Sequence, residues 1–437
     1  MSMHWAALLT DPPCDSSQAT DLAGIAVWAL QFTPRVAYLD EAVVLELEQS
    51  LRLFGGDAPL HERLEAGAVE MGVMFTAWAP TSLAALAFAR AGIRDGFERP
   101  LAKLLDPLPF DHVSAVNAHA PTLARLGCRT LADVRKLPRG GISRRFDKEL
   151  LLALDQAYGL RPEVHNWVVL PQTFAARLEL PGRVETASSL MFGARRLLLQ
   201  MGGWLAARHG GVTAFKMRWC HDTMRARDAG DGGEITIRTA EPTQNVNHLC
   251  RLLSEHLAKV QLLAPVSDIE ISATEVTAIG EKSHSLLPDT VRQGESLVQV
   301  LERIEVRLGK KRVLRPVLVE DHRLEWTQRW QAVDAPRPNA TIRQTPVPQP
   351  SWILRKPMKL AMLKNRPIYQ GPLQLLVGPD RVEGGWWHRA EGEGGARNLN
   401  VQRDYWVALS AHAGALWIFQ QRLATDETAW YLHGHFA

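Results

Sequence analysis

The chain has 437 residues and a mass of 48.7 kDa; at roughly 100–200 residues per domain it holds about three domains, not one small module. With 46% hydrophobic and 22% charged residues, wholesale disorder and a fibrous repeat are both excluded. The 50 Lys and Arg against 47 Asp and Glu leave a net charge of +3, so a nucleic-acid surface would require an uneven distribution of charge.

The first element is the apolar run His4–Thr10, a buried strand stopped by Asp11-Pro12-Pro13. An apolar helix from Asp21 to Leu30 follows, with Asp21 as N-cap. Val36–Tyr38 and Val43–Leu47 read as strands, and Gly55-Gly56 closes the unit. Pro59–Gly72 is helical, Val73–Ala79 a strand and Thr81–Ala91 an alanine-rich helix, so the first hundred residues form an α/β or α+β layer. From Pro107 to Gly159 the helices are short (Pro121–Leu126, Thr130–Leu137, Lys148–Tyr158), with Thr130 and Asp133 close to a capping box.

Phe174–Leu180 is extended, Ala187–Arg208 helical and Val212–Cys220 alternating. Glu234–Arg238, a helix capped by Thr243 and running to Val260, and the strand Asp268–Thr277 complete a β-α-β-β-α-β order, which gives a four-stranded sheet with two helices on one face. Glu295–Leu308 is a charged helix, and Asp334–Trp352, with five prolines, reads as a linker or extended arm. Strand-like runs at Gln374–Val377, Tyr405–Leu409, Ala415–Gln420 and Ala429–His433 make the tail a small β module. Four dispersed cysteines, Cys14, Cys128, Cys220 and Cys250, form no C-x-x-C pair and point to a reducing compartment. With no apolar leader and no run of about eighteen apolar residues, the expected location is the cytoplasm.

The sharpest chemical feature is the pair Asp40-Glu41 within Val36-Ala37-Tyr38-Leu39-Asp40-Glu41-Ala42, with Leu53-Phe54-Gly55-Gly56 downstream. Adjacent carboxylates at a strand edge are what a divalent-metal phosphoryl-transfer site uses, because Mg²⁺ wants hard oxygen ligands; at a turn they are equally a solvated charge pair. The string resembles the palm hairpin of Y-family DNA polymerases. Thr76–Ala87 is similar to that family's next palm segment, and Leu123–Leu137 followed by Ser143-Arg144-Arg145-Phe146 looks like its thumb. The β-α-β-β-α-β block stands where its little finger belongs. The tail strings Gly384-Gly385-Trp386-Trp387, Arg403-Asp404-Tyr405-Trp406 and Trp430–Gly434 resemble, more closely, the ImuB branch of the family, found with bacterial mutagenesis cassettes.

This resemblance implies an α+β, multi-domain, polymerase-like architecture: a reduced palm (1–106), a helical thumb (107–170), a little finger (171–280), a clamp-motif loop and helix (281–333), a Pro-rich linker (334–352) and a Trp-rich, β-rich partner region (353–437). It also exposes departures. The first strand holds no acid where an active palm has a third carboxylate, since Asp11 falls two residues late. About twenty residues replace the fingers, and no lysine matches the region of Ser82. Asp40 and Glu41 are therefore vestigial candidates for catalysis and for a metal; no cofactor is expected, and Mg²⁺ only if the chain is an active translesion polymerase.

DNA binding is expected from Arg195, Arg196, Arg208, Lys216, Arg218, Arg225 and Arg227, which share the stretch 191–227 with a single acid, Asp222. Arg144 and Arg145 add a thumb contribution beside Arg135, Lys136 and Arg139, although the hairpin Ser114–Ala120 lacks phosphate-approaching glycines. The alternative for these charges is a solvated helix face. The resemblance implies a sliding-clamp peptide, matched by Ser283-His284-Ser285-Leu286-Leu287, with Ser283 in place of the usual glutamine. It further implies that the tail recruits a RecA-like accessory protein and an error-prone C-family polymerase. Trp386, Trp387 and Trp406 are the candidate anchors, unless these tryptophans simply form the core of the β module. Three functions stay open: a non-catalytic adaptor in damage-induced mutagenesis, a slow translesion polymerase using Asp40 and Glu41, and a repair DNA-binding protein without clamp contact.

Overall fold

In the computed structural model the described residues are 3–10, 21–222, 229–279, 296–333, 349–392, 395–422 and 428–436. Their contacts divide the chain into two units, Met1–Arg307 and Leu308–Ala437, so the expected palm, thumb and little finger share one unit. Asp11, Arg225, Arg227, the Ser283–Leu287 peptide and most of the Pro-rich segment lie outside the described residues.

The first unit begins with β1 (Trp5–Leu9), α1 (Leu22–Ala29), β2 (Val36–Leu39), β3 (Ala42–Glu46), α2 (Asp57–Glu70), β4 (Phe75–Ala79) and α3 (Ser82–Ala91). The strands form one antiparallel sheet in the order β2-β3-β1-β4. β1 is buried on both faces: Trp5, Ala7 and Leu9 meet α3, while Ala6 and Leu8 meet the layer containing α1 and α2. A strand covered on both sides reads as an unbroken apolar run, and it leaves an acid no solvated place inside it.

The short helices α4 (Leu101–Leu105), α5 (Ser114–Asn117), α6 (Ala120–Arg125), α7 (Leu131–Lys136), α8 (Arg139–Arg145) and α9 (Lys148–Ala157) continue the core on the α3 side, through Leu105, Leu123, Leu131 and Leu150. The capping box at Thr130 and Asp133 is present. The following segment runs back across the first sheet and α3. Glu163 caps α3 by accepting from the Ser82 and Leu83 amides at 2.8 and 2.9 Å, and the Val168 amide donates to the Val36 carbonyl at 2.8 Å.

Then come β5 (Ala175–Val184), α10 (Met191–Ala207), β6 (Gly210–His221), β7 (Gly232–Thr243), α11 (Val246–Leu257) and β8 (Val266–Ala278), in the predicted β-α-β-β-α-β order, with sheet order β5-β8-β6-β7. β7 runs five residues beyond its predicted end. Asn245, not Thr243, caps α11, because Thr243 is still in the ladder opposite Val212. Helix α10 packs on both layers: a Cβ added at Gly203 would stand 2.7 Å from the Trp28 backbone in α1, and one at Gly202 would stand 2.7 Å from Val246 in α11. Two adjacent glycines therefore let α10 approach both neighbours closely. The helix α12 (Leu297–Leu308) is held by Glu302, which pairs with His248 at 2.7 Å and accepts from the Ala240 amide.

The second unit contains the hairpin β9 (Leu314–Leu318) and β10 (Gln328–Ala332), neither of them predicted. It continues with β11 (Trp352–Lys359), β12 (Ala361–Leu363), β13 (Arg366–Ile368), β14 (Gln374–Gly384), β15 (Arg389–Gly392), β16 (Gly395–Asn398), β17 (Val401–Ser410), β18 (Gly414–Arg422) and β19 (Thr428–His435). Its main sheet has the order β11-β19-β18-β17-β14. β18 is covered on both faces, Leu416 and Ile418 lying in one cluster and Trp417 and Phe419 in the other. Among the described residues no helix is long and apolar enough to cross a membrane.

Candidate functional site

Leu39 and Ala42 pair across β2 and β3, so Asp40 and Glu41 are the two loop residues of a tight hairpin. Asp40 takes the left-handed φ of 49° that such a turn requires and that Asp tolerates. The neighbouring strand supplies no acid. Thr10, just past β1, donates to the Glu41 carbonyl through its backbone amide at 3.3 Å and its hydroxyl at 2.6 Å.

The residue that completes the site is Arg90, in the last turn of α3. Its Nε and Nη2 donate to the two Glu41 carboxylate oxygens at 2.7 and 2.8 Å. Nη2 also donates to Asp40 Oδ2 at 3.0 Å, and Nη1 donates to the His112 carbonyl at 2.7 Å. The Ser114 hydroxyl donates to the same Asp40 oxygen at 2.5 Å. The guanidinium thus grips Glu41 bidentately in a largely covered position, 17% exposed at its side chain. Its hydrogen bonds hold the Glu41 carboxyl below the usual carboxylate range. Desolvation works against the Arg90 charge, but Glu41 and Asp40 outweigh it and raise its pKa. Sequence reasoning missed Arg90; the signal was a lone cation at the end of an otherwise apolar helix.

Among the described residues, most of the expected DNA-binding cations of the β-α-β-β-α-β block are engaged within the chain. Arg195 pairs with Glu70 of α2 at 2.8 Å. Arg196 is turned toward Gly72, its Nε and Nη2 buried without a hydrogen-bond partner among the described residues, and burial lowers its pKa. Arg208 donates to the Pro171 and Gln172 carbonyls and lies 5.0 Å from the Trp204 ring centre. Lys216 pairs with Glu234 at 3.0 Å, and Arg218 lies 3.8 Å from both Glu234 and Glu270. The register aligns Arg177, Glu270, Arg218 and Glu234 in one row across the four strands, with alternating charge. The acids missing from the stretch 191–227 are thus supplied by β7 and β8.

In the block of short helices the picture differs. Arg135 and Arg139 pair with Asp106 and Asp155, whereas Lys136, Arg144 and Arg145 are exposed and carry no ion pair among the described residues. Gly127, in the turn between α6 and α7, has φ 81° and nothing within 4 Å of an added Cβ. The open glycine hairpin therefore follows Leu123, where the sequence reading looked ahead of it.

In the second unit Trp386 and Trp387 are 72% and 54% exposed and meet edge to face with ring centres 5.2 Å apart. Trp406 instead packs against the core beside Trp430. Beneath Trp387, the buried Arg323 is gripped by Asp321 at 2.7 and 3.0 Å and donates to the Leu399 carbonyl at 3.1 Å.

No family model matches the chain. Among solved structures, an insertion ternary complex of Dbh DNA polymerase aligns with 14% identity and a TM-score of 0.29 over 58% of this chain and 76% of that one. A DinB family error-prone DNA polymerase from Sulfolobus solfataricus aligns with 13% identity and 0.30 over 59% and 79%. Superpositions this loose carry no residue correspondences. Curated relatives align far more completely: Protein ImuB of Caulobacter vibrioides, from strains NA1000 / CB15N and ATCC 19089 / CIP 103742 / CB 15, is 26% identical over 446 residues, covering 98% of this chain and 94% of the relative. The chain is thus similar to Protein ImuB along nearly its whole length, the same likeness its hairpin, thumb and tail motifs carry.

Proposed function

We propose that this chain is a polymerase-shaped adaptor in DNA-damage-induced mutagenesis that binds DNA but does not synthesise it. The observation that carries this reading is Arg90 on the Asp40-Glu41 hairpin. Three of the four carboxylate oxygens already accept from a guanidinium that cannot lose its charge, and β1 contributes no third acid. That donor set does not fit a pair of Mg²⁺ ions, which need several free carboxylate oxygens bridging protein and phosphate. We therefore assign no catalytic step to Asp40 or Glu41 and no cofactor to the chain.

DNA contact is placed first on the thumb, at Lys136, Arg144, Arg145 and the open turn at Gly127, where charges are exposed and uncommitted. The little-finger cations contribute less, because neighbouring acids neutralise them. Leu286 and Leu287 are the proposed clamp anchors, and the tail, with Trp386 and Trp387 uppermost, is the proposed contact for a RecA-like accessory protein and an error-prone C-family polymerase. These partner roles rest on the likeness to ImuB. A primer-extension assay with Mg²⁺ tests the reading: no incorporation is expected, whereas incorporation lost in Asp40→Ala would overturn it in favour of a slow polymerase. Sliding-clamp capture undiminished in the Leu286→Ala, Leu287→Ala variant would remove the clamp assignment.

A further inference from the structure

We propose that His4, Asp57 and His61 form a binding site for a divalent transition-metal ion, with coordination positions left open to water. His4 immediately precedes β1, while Asp57 and His61 stand one turn apart at the start of α2. His4 Nε2 lies 2.8 Å from His61 Nε2 and 3.1 Å from Asp57 Oδ1, and His61 Nε2 lies 2.9 Å from that same oxygen.

Three potential ligand atoms therefore meet in a nearly equilateral triangle. Hydrogen bonding satisfies such a triangle poorly, because with neutral imidazoles two ring protons at most must serve three edges, and two nitrogens face each other on one of them. A cation satisfies all three atoms together. The corners of a triangle with edges near 2.9 Å lie about 1.7 Å from its centre, so an ion about 1.1 Å above its plane reaches each at the 2.0–2.1 Å typical of Zn²⁺ bound to nitrogen or oxygen. Two imidazoles and one carboxylate on a common face select a first-row transition ion over Mg²⁺ or Ca²⁺, which take oxygen.

The rings are held in place. Trp78 stacks on His61 with centres 3.4 Å apart and 17° between planes, and Phe97 stacks on His4 at 4.7 Å and 6°. Glu48, Glu65 and Asp95 add negative potential around the two rings. Asp57 is 60% exposed, so the unliganded side faces solvent. This triad stands at the His4 end of β1, whereas the Asp40-Glu41 hairpin meets the Thr10 end. A bound ion would pin the start of the central strand to α2.

The test uses the full chain without a histidine tag, stripped by chelator and titrated calorimetrically with ZnCl₂. One equivalent is expected to bind, with affinity at least tenfold weaker in His61→Gln and in the exposed, conservative Asp57→Asn, and unchanged in His119→Gln, whose ring makes an ordinary pair with Asp147. CoCl₂ is expected to give visible ligand-field bands without a cysteine-thiolate charge-transfer band, a readout on the native chain that needs no variant. No zinc at one equivalent, equal binding by both variants, or a thiolate band would each overturn the site.

Discussion

Arg90 answers to two carboxylates, a carbonyl and its own partial burial, so its removal leaves Glu41 and Asp40 facing each other without neutralisation. Arg90→Ala is expected to destabilise the first unit by about 1–3 kcal/mol, read as a lower urea midpoint, with much of that recovered when Asp40→Asn and Glu41→Gln are added. In the second unit His433 is fully buried. Its Nδ1 contacts the Tyr405 hydroxyl at 2.8 Å, and desolvation pushes its pKa down to about 4 despite Glu325. The unfolded chain therefore takes up this proton near pH 6.5 and the folded chain only near pH 4. Stability is full above about pH 6.5 and drains as pH falls toward 4, by about 2 kcal/mol at pH 5. Glu325, whose charged form Arg403 favours, adds to the loss at the acid end. Urea midpoints at pH 7 and pH 5 check this, and His433→Gln should flatten the difference.

At the scale of elements, charge follows sheet register more than sequence neighbourhood. Residues 191–227 look basic because their acids sit on β7 and β8, and only the ladder shows Arg218 facing Glu234 and Glu270. Helix and strand order was legible in the first unit because periodicity and caps are local: β1, α3, the Thr130 capping box and the β-α-β-β-α-β block all stand within a few residues of their predicted places. Arg90 on the hairpin, the His4–His61 contact and the pairing of β9 with β10 were not legible, because each joins residues that only tertiary packing brings together. The α7–α8 stretch gives the corresponding prediction. Lys136→Ala, Arg144→Ala and Arg145→Ala together should weaken binding to duplex DNA and make the salt dependence shallower by about three phosphate contacts. Lys216→Ala with Arg218→Ala should change either much less; fluorescence anisotropy at several salt concentrations separates them.

On the scale of the molecule, each unit has its own core. The second is built around Tyr405, Trp417 and Phe419 on one face and Leu416, Ile418 and Leu432 on the other, with ring centres of Tyr405 and Trp417 3.9 Å apart. Residues 308–437 expressed alone are expected to unfold in one cooperative step, monitored by near-ultraviolet dichroism of the packed tryptophans; a gradual transition would show that this core needs the rest of the chain. Within the first unit, Gly203 against Trp28 joins the little-finger-like layer to the palm-like sheet through one helix. Swinging one from the other means lifting a glycine off a tryptophan backbone and breaking the Gln200–Asp21 hydrogen bond of 2.9 Å. If the chain binds DNA as proposed, these two layers meet it already fixed to each other, and DNA shapes are selected by fit instead of by closure.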